Sequence, residues 1–302
     1  MINAIKKMAL GVAAAALVLA ASGAAMAFGH YTPGALGLGA ATLPPPGFHY
    51  TIYNIFYNAD TMIDDNGNES NVGLDLNVFA SAHQFTYMTD YKFLGAEFGF
   101  DMIVPLVSTN IEIRAAGVDD SQFGIGDLYF EPFVLAWRKP QWDVAFALGF
   151  YAPTADSGGS ASPGLGYWSF METLGATYYF DQARTWSVSL LTRWLQNTES
   201  RDSDVTQGAN VVAEYGAGKT ISLSRDLLFQ FGVSGYTNLQ LTDNSGTTND
   251  DVRARSNAVG PEIHFTLLKP LVLQAYLRYL FEYGTEATSE GQTLCLTLIG
   301  SF

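Results

Sequence analysis

The feature that most constrains this chain is a repeated alternation of polarity. From residue 48 to the end, runs of ten to fifteen residues switch between apolar and polar side chains, and each run ends in a break. A strict two-residue period puts one kind of side chain on each face of a strand. Twelve such strands are expected, near 48–58, 72–89, 96–107, 124–138, 142–152, 168–180, 185–197, 208–222, 227–239, 252–267, 271–283 and 292–302. Runs of this length suit strands that cross a bilayer at a tilt, which need about 9–11 residues. They are long for soluble sheets, where 5–6 is typical.

The breaks also alternate. Long polar ones at 59–71, 108–123, 153–167, 198–207, 241–251 and 284–291 are interleaved with short ones at 90–95, 139–141, 181–184, 223–226 and 268–270. Six long and five short breaks suit an up-and-down barrel with both termini on one side. Outer-membrane barrels put short turns in the periplasm and long loops outside. The reading is therefore all-β: a single antiparallel up-and-down transmembrane β-barrel of about twelve strands.

Composition agrees. Hydrophobic residues make up 48% of the chain and charged ones only 15%, against about 25% charged in a typical soluble domain. No apolar run beyond the N-terminus reaches the roughly 18 residues of a membrane helix. Aromatics gather near strand ends (Trp137, Trp142, Trp168, Tyr178, Tyr179, Trp186, Trp194) as interfacial girdles do. The chain closes on Phe302, with Leu294, Leu296 and Leu298 in step. This resembles the C-terminal aromatic signal read by the outer-membrane barrel assembly machinery, although Gly300 stands where an apolar residue is usual.

Three segments divide the chain. Residues 1–27 read as a cleaved secretory signal: Lys6 and Lys7, an apolar stretch from Met8 to Ala20, then Ala25-Met26-Ala27. Removing the two lysines takes the net charge from −14 to −16, and with no basic patch this excludes nucleic acid as a partner. Residues 28–46 are Gly/Pro-rich and almost uncharged, which suits a plug of the lumen with His30, Tyr31 and Leu36 inserted better than a flexible tail. Residues 47–302 form the barrel. The destination is the outer membrane of a Gram-negative bacterium, with membrane lipid as the surrounding solvent.

Parity assigns an inward, polar face bearing Asp75, Glu97, Asp101, Asp127, Glu131, Asp143, Glu214, Glu262 and Glu282, opposed by Arg193, Arg278, His83 and His264. Such a lumen favours cations, unless the acids pair with inserted loops or one another. Glu97, Asp101, Asp127 and Glu131 fall on adjacent strands, where a cation or a loop base such as Arg114 would relieve their repulsion. Loop 153–167, flanked by Tyr151, Tyr167 and Trp168, reads either as an inward constriction with rings that stack a planar solute or as an exposed loop beside a girdle.

Catalytic signals are poor. Ser81-x-His83 sets a hydroxyl and an imidazole on one side of a strand, as a lipid hydrolase needs, but no spacing supplies an orienting acid or an oxyanion hole. Asp64-x-Asn66-x-Asn68 lacks the closing glycine and glutamate of a calcium loop, and Cys295 is alone. No catalytic residue, metal site or cofactor is expected.

The segments HYTPGALGLGAATLPPPGFHY (30–50), DYKFLGAEFGFDMIVPLV (90–107), FGIGDLYFEPFVLAW (123–137), ASPGLGYWSFMETLGATYYFD (161–181) and VGPEIHF (259–265) resemble the MetA-pathway of phenol degradation family. The resemblance spans nearly the whole mature chain, and its more specific pieces are the Pro-rich entry segment and SPGLGYW. It implies an outer-membrane barrel of transporter type, passing small hydrophobic or aromatic compounds, and brings no catalytic residues. The function expected is a passive channel for small solutes. The alternatives are a structural or adhesive barrel that works through its loops, and an outer-membrane lipid hydrolase.

Overall fold

The structure, a computed structural model, describes residues 29–246 and 251–302. The signal segment 1–27 and residue 28 lie outside them. Fourteen strands follow one another: β1 (Gly47–Ile63), β2 (Glu69–Ser70), β3 (Leu74–Phe93), β4 (Ala96–Ile113), β5 (Val118–Ile125), β6 (Leu128–Lys139) and β7 (Trp142–Ala152). The second half holds β8 (Ser169–Tyr179), β9 (Trp186–Asn197), β10 (Asn210–Ser222), β11 (Leu227–Gln240), β12 (Arg255–Leu267), β13 (Val272–Glu286) and β14 (Thr288–Ser301). All neighbours pair antiparallel, and β14 returns to β1 from His49↔Ser301 to Ile63↔Thr288, so the barrel wall closes on itself. The last residue takes part in closure: Phe48 and Phe302 exchange two backbone hydrogen bonds.

Twelve strands make the wall. β2 is a two-residue appendage to β1, while β5 and β6 are one barrel strand broken at Gly126-Asp127. The break lies opposite Pro105, which has no N–H for the ladder. β4 pairs with β5 from Leu106 onward and with β6 up to Ile103. Gly126 N–H bonding to Pro105 O spans the gap. The extra residue turns Asp127 into the barrel.

Turn chemistry sets the short connections. Leu94 and Gly95, alone between β3 and β4, both have positive φ (51° and 78°), the pairing demanded by the two-residue turn that matches strand twist. Two breaks read as long loops are mostly strand. β4 and β5 continue to a tight turn at residues 114–117, and β13 and β14 are parted only by Ala287. Beyond the bilayer both faces of a hairpin are wet, so the polarity code stops while the backbone ladder continues.

The outward surface carries the apolar face: Leu148, Leu174, Leu190, Phe231, Leu273, Leu277, Leu296 and Leu298 are all exposed. A closed barrel with such an exterior is an outer-membrane barrel, lipid-facing outside and polar for much of its inside.

Candidate functional site

Residues 29–46 run along the inside of the wall formed by β6 to β13. The wall holds their backbone as well as the His30, Tyr31 and Thr42 side chains, so the segment's N–H and C=O groups find inward partners. Glu214 accepts the amides of Gly34 (2.8 Å) and Leu36 (3.0 Å) and the Tyr31 hydroxyl (2.6 Å). Glu262 accepts the Leu38 amide at 3.0 Å and is held from below by His264 and Arg278, both at 2.6 Å. Arg278 also donates to Gly34 O, Ser189 to Gly37 O, and Arg138 to the carbonyls of Leu43 and Pro44. Arg193 bridges Tyr31 and Glu214, its guanidinium lying over the Tyr31 ring. A Cβ at Gly37 would run into the Glu262 carboxylate and the Arg278 guanidinium, so a larger residue there would push this buried pair aside.

At the top of the segment His30 stacks on Tyr151 (4.8 Å) and meets Tyr167 edge-on (5.0 Å). Its Nδ1 bonds Ser169 and its Nε2 bonds Asp127 at 2.8 Å. The same Asp127 carboxylate accepts the amides of Ala155 (2.9 Å) and Leu165 (2.8 Å). One buried carboxylate thus joins the N-terminal segment, the loop between β7 and β8, and the wall. That loop leans over the β4–β5 hairpin, with Ala161 N–H on Asp120 and Gln122 on Asp156.

The segment fills one side of the lumen only. Against the opposite wall, β1, β3 and β4 enclose a cavity of about 180 Å³. Ile55, Val78, Ala80, Ala82, Ile103 and Val107 line it on that side, Tyr53 and Tyr57 add rings, and Tyr31, Pro33 and Leu36 face it from the segment. The charged groups at its edge are engaged: Glu282 by the hydroxyls of Tyr57 and Tyr236, Glu131 by Tyr129, Arg193 by Glu214, Asp127 by His30.

This geometry corrects several expectations. Asp75 and His83 face outward, not into the lumen. On β3 the even residues point in: Leu74 and Leu76 bury against Ile111, Ile113 and Ala161, and Val78, Ala80 and Ala82 line the cavity. Reading apolar as lipid-facing inverted this strand because its part of the lumen is itself apolar. Trp168 also faces out, 42% exposed and tilted on Phe150, while Tyr151 and Tyr167 are buried inside. Arg114 relieves no lumen acid; it pairs with Glu112 in an exposed turn. Glu97 pairs instead with Arg138, Asp143 with Arg184, and Asp101 accepts Gln84 directly opposite Glu131.

Ser81 and His83 lie on the outer surface. Ser81 Oγ is 3.4 Å from His83 Nε2 but donates to Asn54, and His83 Nδ1 is held by Tyr50 rather than an acid. Backbone amides around Ser81 are committed to ladders with β1 and β4, so no oxyanion hole forms there. Asp64 caps its own turn, accepting the amides of Asn66 and Asn68. Among the described residues no cluster of side chains could hold a metal ion. Sequence parity missed Gln84, Tyr53 and the aliphatic residues of β3 and β4 as lining, since nothing in an alternating strand marks which face is inside.

A family model described as "Putative MetA-pathway of phenol degradation" matches residues 59–298. The chain belongs to this family. Among solved structures, the barrel is similar to the COG4313 outer membrane channel from Pseudomonas putida F1, with a TM-score of 0.70 and 14% identity over 90% of this chain and 100% of that one. It is less similar to the beta domain of the Bordetella autotransporter BrkA, with a TM-score of 0.53 and 11% identity over 85% and 100%. No curated protein matches the chain. At these identities the family member shares a fold with both, and its own inward side chains must supply the functional argument.

Proposed function

We propose that this protein is a passive outer-membrane channel for small, largely apolar solutes of about one ring. The cavity between the N-terminal segment and β1, β3 and β4 carries the reading. It has aliphatic and tyrosine walls, and the neighbouring charges are already ion-paired or held by tyrosine hydroxyls. Engineered apolar cavities of about 150 Å³ take up benzene, and this one is about 180 Å³. A permeating cation would have to displace Arg193, His30 or the segment's own amides to reach Glu214 or Asp127, and tyrosine hydroxyls to reach Glu131 or Glu282. A hydrocarbon ring meets no such competition. Among the described residues no energy-coupling element is evident, and a site that binds weakly by burial alone releases readily.

The experiment is uptake of a single-ring hydrocarbon at limiting concentration by Gram-negative cells whose only route is this channel. Ala80→Trp fills the cavity and is expected to cut uptake at least tenfold, while Phe79→Trp, one residue away on the lipid face, leaves it unchanged. Wild-type uptake by the Ala80→Trp barrel would overturn the proposal.

A further inference from the structure

The lipid-facing surface is not uniform. Ladder register aligns Leu106, Leu296, Leu277, Ile263 and Phe231 with Ser81 and Asn54 in one outward row around β4, β3, β1, β14, β13, β12 and β11. The adjoining row holds Val104, Ile52, Leu298, Ala275, Phe265 and Phe229 with His83. In these two rows every residue is apolar except three, and all three are neighbours. Tyr50, one row nearer the periplasm, reaches His83 Nδ1 at 2.6 Å, and Ser81 links His83 to Asn54 at 3.1 Å. Polar groups at this depth are costly against acyl chains, which offer no hydrogen bonds. The Asn54 amide keeps only a long bond to Leu296 O at 3.4 Å.

We propose that this β1–β3 face is the contact between two copies of the chain. A twofold axis along the membrane normal leaves every residue at its own depth, so each polar row meets its counterpart without adjustment. An unrelated partner would match that depth only by coincidence. Asparagine, serine and imidazole groups each donate and accept, so the row is complementary to itself. Aromatics border it: exposed Phe56 pairs with half-buried Phe79 at 4.8 Å, and half-buried Tyr50 with exposed Phe85 at 5.1 Å. Rings around a desolvated polar centre are the composition of protein interfaces. The proposal is independent of what the lumen carries.

The test uses the mature full-length chain in lipid vesicles, in a Cys295→Ser background. Asn54→Cys is expected to give covalent dimers with a short bismaleimide, and Leu190→Cys, on the outer face of β9 six strands away across the barrel, to remain monomeric. The triple change Asn54→Leu, Ser81→Ala, His83→Leu keeps a heat-modifiable folded barrel on gels, yet is expected to weaken self-association at least tenfold in resonance energy transfer on lipid dilution. Equal cross-linking at both positions, none at either, an unchanged dimer in the triple variant, or a monomer carrying only lipid in native mass spectrometry would each overturn it.

Discussion

Asp127 concentrates more of the site than any other residue. It lies in a two-residue break, almost wholly buried, and accepts hydrogen bonds from His30, Ala155 and Leu165. Replacing it with alanine leaves these buried donors unpaired at about 1–3 kcal/mol each, so both the segment top and the loop should loosen. Asp127→Ala is expected to raise permeability to solutes larger than one ring in a liposome-swelling assay, with the barrel still folded; unchanged size exclusion would count against Asp127 as the tie. A second carboxylate illustrates pH dependence outside the membrane. Asp181, in the turn before β9, is held below its ordinary value of 3.8 by the Thr185 amide, the Thr185 hydroxyl and the Trp186 amide. A depressed folded-state pKa means its contribution is present above the unfolded value and lost as pH falls through the folded one. Urea midpoints of wild type and Asp181→Ala should therefore differ at pH 7 and converge as pH falls through the depressed folded-state value, below the ordinary 3.8.

At the scale of elements, the alternating code revealed strand number and approximate ends because only one solvent pair, lipid and lumen, acts on each strand within the membrane. It failed where that contrast disappears. The β4–β5 hairpin projects beyond the bilayer and reads as loop, and β3 faces an apolar stretch of lumen and reads inside out. The N-terminal segment was legible as unusual, since glycine and proline without charge make a poor tail. Its path was not legible, because it is held in large part through backbone groups that every sequence possesses. That path explains why an acidic interior need not attract cations: Glu214, Glu262, Asp127 and Asp143 face this segment or its supports. Deleting residues 28–45 exposes these four acids against Arg184, Arg193 and Arg278. The shortened barrel should show several-fold larger single-channel conductance with a cation preference in planar bilayers, stronger at low salt. The intact chain should show small, weakly selective currents, and equal selectivity of the two would refute this account of the paired acids.

For the whole molecule, lipid outside and a partly filled lumen inside assign opposite consequences to neighbouring positions on one strand. On β13, Leu277 faces acyl chains and Arg278 faces the segment. Arginine at a lipid-facing mid-depth position costs about 2–4 kcal/mol, so Leu277→Arg should lower folding stability in vesicle-refolding titrations by about that amount while leaving solute passage by the folded fraction unchanged. Arg278→Leu should behave otherwise. Burying leucine is not itself unfavourable, but the change leaves Glu262 and the Gly34 carbonyl without their cation, and a broken buried pair costs about 3–5 kcal/mol. Part of that cost is avoided if the N-terminal segment leaves the wall, because water then enters and solvates Glu262. The Arg278→Leu barrel should therefore acquire the larger conductance of the segment-deleted chain, and Leu277→Arg should not. Were both substitutions to lower stability alike with no change in conductance, the segment would not depend on the inward charges, and the two faces would differ only in solvent.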